Sequence, residues 1–354
     1  MKKTLISLAV LAAATNVAYA QSNVTIYGTV DAGIVSERGA KAGSATKVSS
    51  GVSSASRLGF RGTEDLGNGL SAIFALESGF SADTGASTEG GKLFGRQSYV
   101  GLKSNTLGAV TLGNQYTAYY KALSEVADPF AAGYAGTATN LFPSSQRAKN
   151  TIQYASPVVA GFSGEVAYST GEQNGSNSAG RQVGAGLAYA NGPLNARVVY
   201  NLSNNDVVAP GFPVANRDLA RNALIAVNYD FTVVKAYLAY GKDKGTNSAT
   251  MGDVVVGGTR SSNDSNDVLV GVSAPVGPAG TVMASYIRKN DKNVANLDAS
   301  QWAVGYSYAL SKRTAAYASY AQISNKNGAL YTVGNATEAG TSDKAFNLGV
   351  RHSF

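Results

Sequence analysis

Sixteen stretches of alternating apolar and polar residues run through this chain, and the connections between them switch regularly between long and short. The last stretch ends the protein on Phe354. Strands joined this way cross a slab, with loose loops on one side and tight turns on the other. A bilayer is such a slab, because in lipid only helices and closed barrels satisfy every backbone polar group.

The period-two pattern is clearest in Leu194–Leu202, where Leu194, Ala196, Val198, Tyr200 and Leu202 share one face. Phe162, Val166 and Tyr168 likewise lie opposite Ser163, Glu165 and Ser169, and Trp302, Val304, Tyr306, Tyr308 and Leu310 form a third such face. The stretches Phe94–Lys103 and Thr314–Ile323 assign badly to either face. Short connections such as Leu66-Gly67-Asn68-Gly69 and Asn191-Gly192-Pro193 supply the positive φ that hairpins require. Long ones, such as Ser36–Ser56, Lys242–Asn266 and Ser324–Asp343, are polar, and Thr117–Ala148 is the longest. A soluble sandwich shows the same period. Aromatic placement favours the membrane. Tyr154, Phe162, Tyr189, Tyr229, Phe231, Tyr308 and Phe354 fall near tight-turn ends, and Tyr116, Tyr168, Tyr200 and Tyr240 near long-loop ends. Two such bands are what membrane interfaces select.

Composition agrees. Charged residues are only 14% of the chain, below the roughly one quarter usual for soluble domains. The start reads as a secretory signal over residues 1–20, with Lys2 and Lys3, an apolar core Leu5–Ala14, and the small-x-small site Ala18-Tyr19-Ala20. Its removal would leave 21–354 as one barrel and lower the formal charge of +7 by two. No later segment is apolar and long enough for a spanning helix. Cysteine is absent, and basic residues form no run that would suggest nucleic acid.

Catalysis finds little support. The one histidine, His352, occupies an alternating strand position that explains it better than catalysis in a His-based triad, and with a single histidine and no cysteine a His/Cys metal site has no ligand set. Gly67–Ala72 fits a loose dinucleotide pattern but sits in a hairpin. Glu64-Asp65 reads as a solvated turn, and Ser261–Asp267 as a surface loop rather than a calcium site. The expectation is a chain with no catalytic residue and no cofactor.

Several phrases resemble the general porins of Gram-negative bacteria, in particular those of β-proteobacteria. They are Val24–Gly28, Ser56–Leu70, Leu93–Leu102, Asn150–Tyr154 and the terminal Gly349–Phe354. The resemblance implies an all-β, 16-stranded antiparallel transmembrane β-barrel in the outer membrane, trimeric, with the third long loop folded inward. It implies passive diffusion of small hydrophilic solutes and ions through a water-filled pore, with residues 117–148 as the constriction loop. Asp128-Pro129-Phe130 resembles the family's Pro-Glu-Phe-Gly-Gly loop motif, with Ala131-Ala132-Gly133 as a departure. Arg57, Arg96 and Arg147 look like the basic wall of the constriction, joined less firmly by Arg61 and Lys149. Glu125 and Asp128 stand as acidic partners on the loop, setting a field across the eyelet. Parity places Arg57 and Arg61 opposite Leu58 and Phe60, and Arg147 and Lys149 with Thr151 and Gln153. A lipid-facing Arg at mid-depth would cost about 2–4 kcal/mol, so these charges should face water. The basic excess predicts mild anion preference. Phe354 closes a strand of the kind the barrel-assembly machinery is understood to read. Partners implied are outer-membrane lipid, two further copies of the chain, and small solutes and anions. A substrate-specific channel and a barrel-mounted surface adhesin remain as alternatives.

Overall fold

The structure is a computed structural model describing residues 23–40, 43–143, 146–206, 208, 219–245 and 262–354. The signal-like residues 1–20 and Ser261 lie outside them. The strands are β1 (Asn23–Ala40), β2 (Gly43–Ser50), β3 (Arg57–Gly67), β4 (Leu70–Gly79), β5 (Gln97–Ser104) and β6 (Gly108–Tyr116). They continue as β7 (Arg147–Ala155), β8 (Phe162–Ser169), β9 (Gln182–Asn191), β10 (Leu194–Ser203), β11 (Ala220–Asp230) and β12 (Lys235–Lys244). The last five are β13 (Asp264–Val276), β14 (Gly280–Asp291), β15 (Ala299–Ala309), β16 (Thr314–Asn325) and β17 (Lys344–Ser353).

From β3 onward each strand pairs antiparallel with the next, and β17 returns to β1 with Thr29 opposite Ser353 and Arg38 opposite Lys344. No edge is left open, which is the condition for a sheet in lipid. Among the described residues seventeen strands fill sixteen wall positions. Strands β2 and β3 lie end to end on one edge of β1: β3 pairs with Asn23–Thr29 and β2 with Ala32–Ala40. The described residues of the expected loop Ser36–Ser56 are therefore mostly hairpin, and among them residues 51–56 leave the ladder. Its polar residues on both faces gave no hydrophobic period to read. The same holds where β12 runs on to Lys244 and β13 begins at Asp264.

The wall alternates as its period demands. Val198 and Tyr200 on β10, and Trp302, Val304, Tyr306 and Tyr308 on β15, point outward and are exposed. In water so much contiguous apolar surface would drive association; against hydrocarbon it is the favourable arrangement. Tyr154, Phe162, Tyr229, Phe231, Tyr308 and Phe354 are exposed near one rim, and Tyr168, Tyr200, Tyr240, Tyr286 and Trp302 near the other. Tyr189 packs on Phe162, ring centroids 4.6 Å apart. At the β3–β4 turn Gly67, Asn68 and Gly69 take φ of 85°, 52° and 75° in succession, a run only Gly and Asn accept cheaply.

The core lies inside the barrel. After β6 the chain turns inward through a short helix, Ala118–Ala122, started by Thr117, whose Oγ1 accepts from the Tyr120 amide at 3.1 Å. Tyr119, Leu123, Val126, Phe130, Leu141 and Phe142 of this loop are buried against the inner wall. The wall meets them with Val199, Leu224, Leu269, Ile287 and Tyr317. An inward apolar residue would be costly in an empty pore, but here the loop covers it. Tyr317 and Ile323 are why β16 reads poorly: both point inward and are buried.

Candidate functional site: the lumen beside the inserted loop

Where the loop leaves the wall uncovered, a cavity of about 520 Å³ opens, lined by Arg57, Arg61 and Arg96 on one side and Lys121, Ser124 and Glu125 on the other. Strand parity turns Arg57 and Arg61 of β3 and Glu77 of β4 inward, while Arg96 stands just before β5. Arg96 Nε donates to Glu77 Oε1 at 2.8 Å and Nη2 donates to Tyr116 Oη at 2.7 Å. Its Nη1 lies 3.6 Å from Glu89 Oε1. Arg57 Nε is 3.7 Å from Glu77 Oε2, and its Nη1 donates to Ser54 Oγ and the Ala55 carbonyl at 3.1 and 3.0 Å. Arg61 lies over the Tyr27 ring, 5.2 Å from its centroid.

Arg147 Nη1 donates to Glu89 Oε2 at 2.8 Å and its guanidinium stacks 5.0 Å over Tyr116. Tyr116 thus belongs to this cluster, not to the outer aromatic band. Arg147 reaches the cluster by a route that parity missed. Strand β7 carries a bulge: Thr151 is opposite Gly113 but Ala148 is opposite Gln115, and Asn150 takes φ of 52°. The extra residue breaks the period that linked Arg147 with Thr151 and Gln153. Lys149, on the bulge, is exposed and sits against Lys92 rather than in the cavity.

The loop side differs from expectation. Glu125 Oε2 accepts from Arg197 Nη2 of β10 at 2.5 Å, and Lys121 is paired with Glu165 of β8. Asp128 does not face the lumen. It is buried, and its carboxylate accepts from the amides of Phe130 (2.9 Å), Ala132 (3.0 Å) and Ala138 (2.8 Å), closing the loop tip on itself. Burial pushes this carboxyl up to about 6, against the pull of the three amides. An acid beside Pro129 could as well have faced water, and only the fold shows that it staples. The charged groups gathered on the wall side are therefore Arg57, Arg61, Arg96 and Arg147 with Glu77 and Glu89.

Glu77 was legible by the parity that found Arg57, since Ala75, Glu77 and Gly79 alternate with Phe74 and Leu76. Asp31 was too. Its Oδ1 accepts from the Val52 amide (2.9 Å) and Tyr317 Oη (2.7 Å), and its Oδ2 from the Ser54 amide (3.1 Å) and Ser53 Oγ. This gathers residues 51–56 beside the cavity and presents Ser54 and Ala55 to Arg57. Arg197 was legible as an inward residue by the same alternation, between Ala196 and Val198, whereas Glu89 gave no comparable signal.

Replacing Asp128 with Ala should loosen the loop. Three buried amides would lose their acceptor, each at about 1–3 kcal/mol. The expected reading is a larger, noisier single-channel current, with Asp128→Asn, which keeps one acceptor oxygen, in between. Wild-type traces from D128A would refute the staple. Next to it Ala131 and Ala132 take φ of 51° and 57°. A side chain there costs roughly 1–2 kcal/mol per residue, so Ala131→Gly should quieten the channel's current fluctuations and make the loop harder to digest with protease.

Comparison with known proteins agrees with this geometry. A family model for Gram-negative porins matches residues 7–328. An outer membrane porin protein of Bordetella pertussis is 35% identical, with all of both chains covered, and outer membrane porin protein 32 of Delftia acidovorans is 34% identical, again over all of both. Among solved structures, an anion-selective porin from Comamonas acidovorans superimposes with a TM-score of 0.77 at 31% identity, covering 94% of this chain and all of that one. A closed sixteen-position barrel, an inward-folded loop and full-length relatives of one kind place the chain in the Gram-negative porin family, as a channel of the outer membrane.

Proposed function

We propose that small hydrophilic solutes diffuse through this channel with a mild preference for anions, set at residues 117–148 and the wall they face. The observation that carries the reading is the charge count at the narrow section: four arginines, Arg57, Arg61, Arg96 and Arg147, against Glu77 and Glu89. Glu125 is paired with Arg197 and Asp128 is buried, so neither offsets the excess. A basic lining concentrates anions at the narrowest point, where selectivity is decided. The name of the Comamonas acidovorans neighbour points the same way.

Three barrels associate as a homotrimer in this reading, residues 1–20 direct export, and the β17 strand with Phe354 addresses the barrel-assembly machinery. Phe354 also helps close the wall, its amide and carbonyl both bonding Gly28 at 3.1 Å. Planar bilayers separate the possibilities. Under a salt gradient the reversal potential should have the sign of anion preference, with conductance in steps of three. Cation preference would overturn the selectivity. Saturable current blocked by one solute class would favour a substrate-specific channel, and a plugged, silent barrel an adhesin.

A further inference from the structure

We propose that the lumen carries a second station, between the inserted loop and the tight-turn end, that binds the two charged ends of a small aliphatic α-amino acid. The inference rests on the reading of an open lumen that passes small solutes, and it adds a solute class that the arginine wall does not favour. Lys121 and Glu125 stand four residues apart on the helical start of the loop, so they reach out side by side. Lys121 pairs with Glu165 of β8, and Glu125 with Arg197 of β10. Between those two strands β9 turns Gly184, Gly186 and Ala188 inward. Gly186 lies opposite Glu165 and Val199, and Ala188 opposite Ser163 and Arg197. A Cβ at Gly186 would come within 3.1 Å of Val199 Cγ1 and 3.3 Å of Ala118 Cβ, so the bare strand lets the loop helix settle this close. The two ion pairs therefore bridge a furrow of small residues. Beside them is a recess of about 230 Å³, lined in part by Lys121, Glu165, Arg197, Ala155, Ala188 and Val199. It is smaller than a drug-sized pocket and suits a solute of a few heavy atoms. Lys121 lines this recess and the arginine-walled cavity alike, so a solute passes from one to the other.

Charge order selects the ligand. Loop and wall present a cation beside an anion twice, in opposite sense, so the four charges cancel. An ion of one sign gains at one pair what it loses at the other. A zwitterion with its ammonium at Glu165 and its carboxylate at Arg197 gains at both. Both protein donors to Glu165, Lys121 Nζ and Gln153 Nε2, go to Oε2, which leaves Oε1 for the ammonium. Glu125 takes Nη2 of Arg197, which leaves Nη1 for the carboxylate. Two strand spacings, about 10 Å, separate the backbones that carry them, and both side chains are long enough to narrow that gap to the span of one amino acid. Ala155, Ala188 and Val199 offer apolar surface to a short aliphatic side chain. The side chains of Glu165 and Arg197 are only 19% and 21% exposed, so contacts made there are stronger than on an open surface.

The test is saturation-transfer NMR on full-length protein in detergent. The probes are valine, its amine-free analogue isovalerate and its carboxylate-free analogue isobutylamine. Valine should bind about tenfold more tightly than either analogue, since each lacks one hydrogen bond to a charged group. In E165Q/R197Q valine should fall to the level of the analogues. Ala188→Leu, which fills the furrow without touching a charge, should weaken valine as much, and it carries the test should the double variant not assemble. Equal binding of valine and isovalerate would overturn the proposal by showing a site for anions alone. So would valine binding that neither variant changes. Planar bilayers made from the same preparation separate this site from the channel reading. A conducting wild type with no transfer to valine would remove the site alone, whereas a silent barrel would remove the open lumen on which it depends. Because the recess lies beside the arginine-walled cavity, bound valine should leave most of the ion current running. A complete block would put valine in the main cavity and overturn the site.

Discussion

Exchanging Arg57 and Arg61 together for glutamate is expected to turn the channel from anion-preferring to cation-preferring. The wall cluster holds four arginines and two glutamates, and the double exchange changes its charge by four units. A unit charge about 6 Å from a passing ion contributes about 0.7 kcal/mol in water. Four units therefore give about 3 kcal/mol, which screening at physiological salt roughly halves. The change disfavours an anion and favours a cation by about that much each, so the anion-to-cation permeability ratio should fall by about a hundredfold, since about 1.4 kcal/mol is one decade. Arg57 and Arg61 are the right pair because they open on the cavity, whereas Arg96 is buried in bonds to Glu77 and Tyr116. Glutamate at position 96 would set three carboxylates together and disturb the wall as well as the field. A reversal potential unmoved by R57E/R61E would mean that the narrow section lies elsewhere in the lumen.

The residues that could be read from the sequence are those on which lipid imposes a rule. Arg57 and Arg61 had to face water because Leu58 and Phe60 face hydrocarbon, and the same rule covers Glu77 and Asp31. It stops where the ladder is irregular: the Lys149–Asn150 bulge shifts β7 by one residue, so Arg147 arrives beside Glu89 through geometry that no period encodes. It stops again where the lumen is dry. Leu224, Leu269 and Ile287 point inward because the loop covers them, and nothing local to β11, β13 or β14 announces that cover. Asp128 shows the third limit, since an acid on a loop can face a solute or cap its own backbone. The departure from the family's Gly-Gly at Ala131-Ala132 was visible in sequence; that both adopt positive φ was not.

The inner wall beneath the loop holds the charges on which stability should depend most. Lys289 of β14 donates to Asp267 Oδ2 at 2.7 Å and to Ser265 Oγ at 2.8 Å, and Asp243 of β12 accepts from Asn222 at 2.8 Å. Lys289, Asp243 and Asp267 are all fully buried, beside Tyr119 of the inserted loop. Replacing Lys289 with Met removes the cation and leaves two carboxylates in a dry place. Breaking a buried pair in this way costs about 3–5 kcal/mol. The detergent-solubilised barrel should then unfold at a lower temperature by circular dichroism, and the loop above should give a noisier current. Adding Asp243→Asn and Asp267→Asn to K289M should recover most of the loss, since a neutral set no longer buries charge without a partner. That recovery separates the electrostatic cost from a packing defect, which the added amides would leave in place. An unfolding temperature unchanged in K289M would mean that water reaches these carboxylates, and the loop would then owe its position to its apolar contacts alone.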